Sequence, residues 1–202
     1  MFSRSALLSS WKDVRPYFIF SAILFFAAVV VGASPGNAAA MLDNLLQQIA
    51  GLAQEAQAHE NPQQAMFWLI FQNNLVAAIM TMYLGIAAGI FSLMSMIMNG
   101  MVIGYMFGKI SEAGGSVFPL IVKGILPHGI IELPALFLAS GFGMLLGVGV
   151  LKGIVGSLVG KPDSWQPFKR ALKGTVPALA VLVVALLAAA LIESTVTYRL
   201  MT

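Results

Sequence analysis

Long apolar runs alternate with short polar breaks along this chain, and the breaks set the predicted elements. Residues 1–16 are polar, with Arg4, Lys12 and Arg15, whereas residues 17–33 are almost wholly apolar and just long enough to span a bilayer. Ser34-Pro35-Gly36-Asn37 ends that helix. Over residues 41–60, Met41, Leu42, Leu45, Leu46, Ile49 and Leu52 recur at helical spacing against Asp43, Gln47, Gln48, Gln54 and Glu55. That pattern predicts an amphipathic helix covering the ends of a bundle. Asn61-Pro62 opens the next helix. From Ala65 to Phe107 there is no acid or base. At about 1.5 Å per residue this run is too long for one span and suits two, with the turn at Gly85–Gly89 or at Met96–Gly100. A glycine-containing loop covers Lys109–Ser116, and residues 117–151 form a further apolar run. Lys152–Lys173 is basic, and 175–197 is the last span, with Glu193 near its end.

The run over 117–151 is interrupted by Pro127-His128-Gly129. Proline lacks an N–H, suits a helix N-terminus and disfavours helix at the residue before it. A broken or re-entrant helix is therefore expected at Leu126–His128, with 117–126 short and 129–151 spanning. The fold class is all-α: a polytopic transmembrane bundle of about five spans. The chain reads as one membrane domain over 1–202, with a first span (17–33), an outer loop carrying the amphipathic helix (34–64) and a helical core (65–198).

Composition agrees with the pattern. Only 9% of the 202 residues are charged and 59% are hydrophobic, against about 25% charge in a soluble domain. Cysteine is absent, which removes disulfides and thiolate metal sites. Ala38-Ala39-Ala40 resembles a signal-peptide cleavage site, but the preceding apolar run is long for a signal peptide, and a retained span is expected. Of the 11 Lys and Arg, eight lie in two places: Arg4, Lys12 and Arg15, and Lys152, Lys161, Lys169, Arg170 and Lys173. The 34–64 loop has none, but holds Asp43, Glu55 and Glu60. The positive-inside rule then puts the N-terminus and 152–173 in the cytoplasm, and 34–64 and Thr202 outside, in a multi-pass plasma-membrane protein. Topology and anionic lipid account for the basic loop, and nothing points to nucleic acid.

His128, Glu132 and Glu193 are the strongest chemical set. Ionisable groups inside a membrane cost a few kcal/mol each on insertion scales and mark functional sites by default. His128 and Glu132 are four residues apart and share a helix face. One imidazole and two carboxylates suit Zn²⁺, Mn²⁺ or Fe²⁺. The same groups suit a proton or ion path, or a buried hydrogen-bonded network, and the residues alone leave the three readings open. Asn73, Asn74 and Asn99 bring amides that lipid cannot satisfy, and are expected to bond between helices or to join the same polar pocket. Gly85, Gly89, Gly100, Gly104 and Gly108 have small-xxx-small spacing, which serves either internal packing or a homodimer seam. The Met-rich stretch from Met80 to Met106 reads as packing. There is no nucleophile elbow, paired-histidine zinc helix or phosphate loop, and no enzyme is expected.

Five stretches together carry a family resemblance: Phe71-Gln72-Asn73-Asn74; Met98-Asn99-Gly100 with Gly104; Pro127-His128-Gly129-Ile130-Ile131-Glu132-Leu133-Pro134-Ala135; Ala139-Ser140-Gly141-Phe142-Gly143; and Leu191-Ile192-Glu193. In that order, over about residues 67–198, the chain resembles the stage II sporulation protein M family. The resemblance implies a bacterial or archaeal multi-pass membrane protein. In spore formers it implies a scaffold complexed with peptidoglycan-degrading proteins during septal thinning and engulfment. The leading expectation is a non-enzymatic membrane scaffold or assembly factor of the envelope, a homodimer in the bilayer with peptidoglycan-remodelling membrane proteins as partners. The alternative is an ion or small-solute transporter or channel, with a polar or zinc-binding site at His128, Glu132 and Glu193.

Overall fold

The computed structural model describes residues 3–34 and 36–201, and the expected outer position of Thr202 lies outside them. It is helical throughout, with no strand among the described residues. Five helical stretches are long and apolar enough to cross a membrane: Arg4–Gly32, Pro62–Leu84, Ile90–Glu112, Val117–Leu158 and Gln166–Thr197.

Helix α1 (Arg4–Gly32) starts earlier than its apolar run. The Ser3 side chain accepts from the Ala6 N–H, capping the start, and the polar segment then continues as helix past Pro16. The lead-in is structured because it packs. Val14 is buried, and Asp13 pairs with Arg170 at 3.8 Å, which brings the two basic segments to one end of the bundle. The amphipathic helix α2 (Ala39–Gln57) buries Leu42 and Ala56 and leaves Met41, Ile49 and Leu52 exposed. Lys109 Nζ fixes it from the next layer, 3.2 Å from Asp43. The hydroxyl of Tyr105 and the ammonium of Lys109 hold the Asp43 carboxyl below its ordinary value.

Helix α3 (Pro62–Leu84) is capped by the Asn61 side chain, with Pro62 in its first turn. Of the two turns expected in the long apolar run, the chain uses Gly85–Gly89, where Ala88 and Gly89 take positive φ. Helix α4 (Ile90–Glu112) follows. Short helix α5 (Val117–Pro119) passes into a π-helical segment, Leu120–Ile125, and then into α6 (Leu126–Leu158). The irregularity expected at Leu126–His128 is thus a change of helical register. The N–H of Leu126 reaches the carbonyl of Ile121, five residues back. Pro127 sits in the first turn of α6, where its missing N–H costs little. No short re-entrant helix separates off at 126, and the spanning helix runs past residue 151 to Leu158. This 42-residue helical stretch is about 63 Å long, roughly twice the hydrocarbon thickness.

Helix α6 is the centre of the bundle, packed by α1, α3, α4 and α7 (Gln166–Ile192). Its glycines let those neighbours approach: Gly141 faces Phe18, Gly143 the Thr81 carbonyl, Gly147 the Gly85–Gly89 turn and Gly153 the Trp165 ring. Along α4, Gly100, Gly104 and Gly108 face the α1 carbonyls of Phe25, Val29 and Ala33, with no room for a Cβ. Every glycine ridge singled out from spacing is therefore occupied inside the chain, and a second copy would meet other faces. Met82 and Met96 are buried, whereas Met80 and Met94 face outward. A hydroxyl chain ties the layers. Ser21 donates to Ser140 (3.0 Å), Ser140 to the Ser92 carbonyl (3.3 Å), and Ser92 to the Thr81 carbonyl (2.8 Å).

Candidate functional site

Two helical irregularities build the site. The π-helical segment Leu120–Ile125 delivers His128 at the start of α6, and Glu132 follows one turn later on the same face. Opposite, α7 loosens at its C-terminal end into a second π-helical segment, Glu193–Thr197, before α8 (Tyr198–Met201). Such segments widen a helix by one residue and recur at functional sites. Here each places a four-residue pair, His128 with Glu132 and Glu193 with Thr197, toward the other.

His128 Nδ1 lies 3.3 Å from Thr197 Oγ1, and Nε2 lies 3.8 Å from Glu193 Oε2. One ligand atom from each of His128, Glu132 and Glu193 falls within 4.8 Å of the other two. The side chains of His128 and Glu193 are 14% and 29% exposed, so the set is largely enclosed. Glu132 Oε2 is buried and has no hydrogen-bond partner among the described residues. Neither carboxylate has a Lys or Arg within 4.0 Å among those residues, since Lys109 and Arg170 pair with Asp43 and Asp13. The donor set of one imidazole and two carboxylates can hold a divalent cation or share protons.

The asparagines do not join this set. Asn73 and Asn74 bond to each other (3.4 Å), and Asn99 bonds to its own helix at the Ser95 carbonyl (2.8 Å). Their amides are satisfied locally, so no polar pocket is needed to explain them. Lys123 is exposed, before the site, and makes no ion pair with Glu132. Thr197 was not singled out from the sequence, although its four-residue spacing from Glu193 is the same signal that paired His128 with Glu132. The serines of the hydroxyl chain carry no sequence signal beyond being polar in apolar runs.

The family model described as stage II sporulation protein M matches residues 17–198. The match takes in the first span as well as the helical core. An uncharacterized protein of Methanocaldococcus jannaschii is 31% identical over 132 residues, covering 65% of this chain and 55% of the relative. The chain thus spans about half the length of the curated relative it matches. No solved structure matches.

Proposed function

Starting from the fact that this chain belongs to the stage II sporulation protein M family, we propose that it is a non-enzymatic membrane scaffold or assembly factor for envelope remodelling. Its N-terminus and basic loop would face the cytoplasm. One observation carries the reading. Most polar side chains within the apolar helices are spent on holding helices together: Ser21, Ser140 and Ser92 across α1, α6 and α4, Tyr83 with Thr175 (3.2 Å) across α3 and α7, and His128 with Thr197 across α6 and the end of α7. A bundle fastened layer to layer in this way serves as a rigid platform more readily than as a moving gate. Two open grooves, of about 740 Å³ and about 660 Å³, lie at the α2–α3 junction and the α6–α7 junction, and neither is lined by His128, Glu132 or Glu193. In a spore former the family resemblance supports peptidoglycan-remodelling membrane proteins as partners.

A test reconstitutes the purified full chain in proteoliposomes and, in parallel, cross-links it in its native membrane. The scaffold reading expects ion flux no higher than in empty vesicles and recovery of an envelope-remodelling protein. Saturable flux abolished by Glu132→Gln would instead establish the transporter alternative, which rests on the unpartnered Glu132 carboxylate oxygen.

A further inference from the structure

We infer that His128, Glu132 and Glu193 form a zinc site that clamps the start of α6 to the end of α7. The assignment stands independently of the scaffold reading.

Geometry carries it first. The 3.8 Å between His128 Nε2 and Glu193 Oε2 is too long for a hydrogen bond between an imidazole and a carboxylate. It is close to the separation of two ligands on one ion. Zinc at about 2.0–2.2 Å from each ligand sets tetrahedral neighbours about 3.3–3.6 Å apart. The widest separation in the set, 4.8 Å, closes by rotation of one side chain. Glu132 is free to make that rotation, because its buried Oε2 bonds to nothing among the described residues.

The histidine is also oriented for a metal. Thr197 Oγ1 sits 3.3 Å from Nδ1 and can accept its proton. That fixes the tautomer with the Nε2 lone pair facing the carboxylates, the usual arrangement in which a neighbouring oxygen orients a ligating imidazole. Thr197 is a positioning residue in this account. Charge completes the case. Two carboxylates without a cationic side chain within 4.0 Å are balanced by one divalent ion and a neutral imidazole. Magnesium and calcium favour six or more oxygens, whereas three mixed nitrogen and oxygen donors at this spacing suit zinc.

The full chain, purified in mild detergent and stripped with a chelator, is titrated with zinc against a chromophoric indicator. One zinc per chain is expected. Glu132→Gln and Glu193→Gln, which preserve side-chain shape, are expected to weaken binding at least 100-fold. Thr197→Val, acting only through the imidazole, is expected to weaken it about 10- to 100-fold without changing the stoichiometry. His59→Gln, at the other histidine, is expected to change nothing. Wild type that takes up no zinc, or Gln variants that elute like wild type and bind with unchanged affinity, would overturn the site. If the Gln variants do not fold, X-ray absorption of the zinc-loaded wild type decides: one imidazole with oxygen ligands supports the assignment, and a shell without imidazole removes it.

Discussion

Alanine at Gly104 should damage the protein far more than one methyl group on a helix surface suggests. A Cβ there meets the Val29 carbonyl, and the same ridge presses Gly100 on the Phe25 carbonyl and Gly108 on the Ala33 carbonyl. The methyl cannot be accommodated by moving a side chain, because the atoms in its path are α1 backbone. The helices must separate locally. Inserting a methyl group into a packed interface costs about 1–3 kcal/mol. Lifting α1 away also weakens the close Cα–H···O contacts that glycines permit, at about 0.5–1 kcal/mol each. Alanine's better helix propensity returns up to about 1 kcal/mol. The net expectation for Gly104→Ala is a loss of about 2–3 kcal/mol. Gly51→Ala on α2 is the control, since open space surrounds that position and the substitution should be neutral or slightly stabilising. Reversible unfolding in mixed micelles, with wild type and both variants side by side, measures the difference. Gly104→Ala within about 0.5 kcal/mol of wild type would refute the close approach of α4 to α1.

Other predictions follow from the same packing. Ser140→Ala removes the hydroxyl linking α1 to α4 and should cost about 0.6–1.7 kcal/mol in the same assay. With zinc chelated, Glu132→Gln should melt at or above wild type, because it removes an unpartnered buried carboxyl group, whereas Glu132→Ala leaves a void and should melt lower. Single cysteines at Ser10, Gln57 and Ser164 test topology with an impermeant thiol reagent in intact cells; Gln57 should label, and labelling at Ser164 but not at Gln57 would invert the assignment. Asp43 gives a pH signature. Its carboxyl is held below the unfolded value, so the tether of α2 to Lys109 is fully present above that value and is lost as pH falls through the folded one. Hydrogen exchange in α2 should accelerate in acid, and Asp43→Asn should show the fast exchange already at neutral pH.

The spans were legible because hydrophobic length and proline and glycine punctuation report them directly. Asn61-Pro62 and Gly85–Gly89 mark a start and a turn by local chemistry alone. Partners were not legible. Glycine spacing along α4 names a face, but only the fold shows that Phe25, Val29 and Ala33 of α1 fill it. The asparagines misled for a related reason, since an amide in an apolar run needs a partner but can find one on its own helix, as Asn99 does at Ser95. Pro127 was read as a break because it cannot donate. The π-helical segment absorbs that defect without leaving helix, which residue preferences do not reveal. Arg4–Pro16 looked like a polar lead-in, because an amphipathic face is visible only once α7 is there to cover Val14.

Convergence of residues more than sixty positions apart is the central claim, and cross-linking tests it most directly. The chain has no cysteine of its own, so an engineered pair reports cleanly. His128→Cys with Thr197→Cys is treated in native membranes with a short bifunctional thiol reagent, beside Ser21→Cys with Ser140→Cys as the reference contact, whose hydroxyls are 3.0 Å apart. The account predicts that both pairs close within the chain at comparable rates, giving a mobility shift that reduction reverses. Closure of the reference pair while the 128–197 pair stays open in properly folded protein would contradict it.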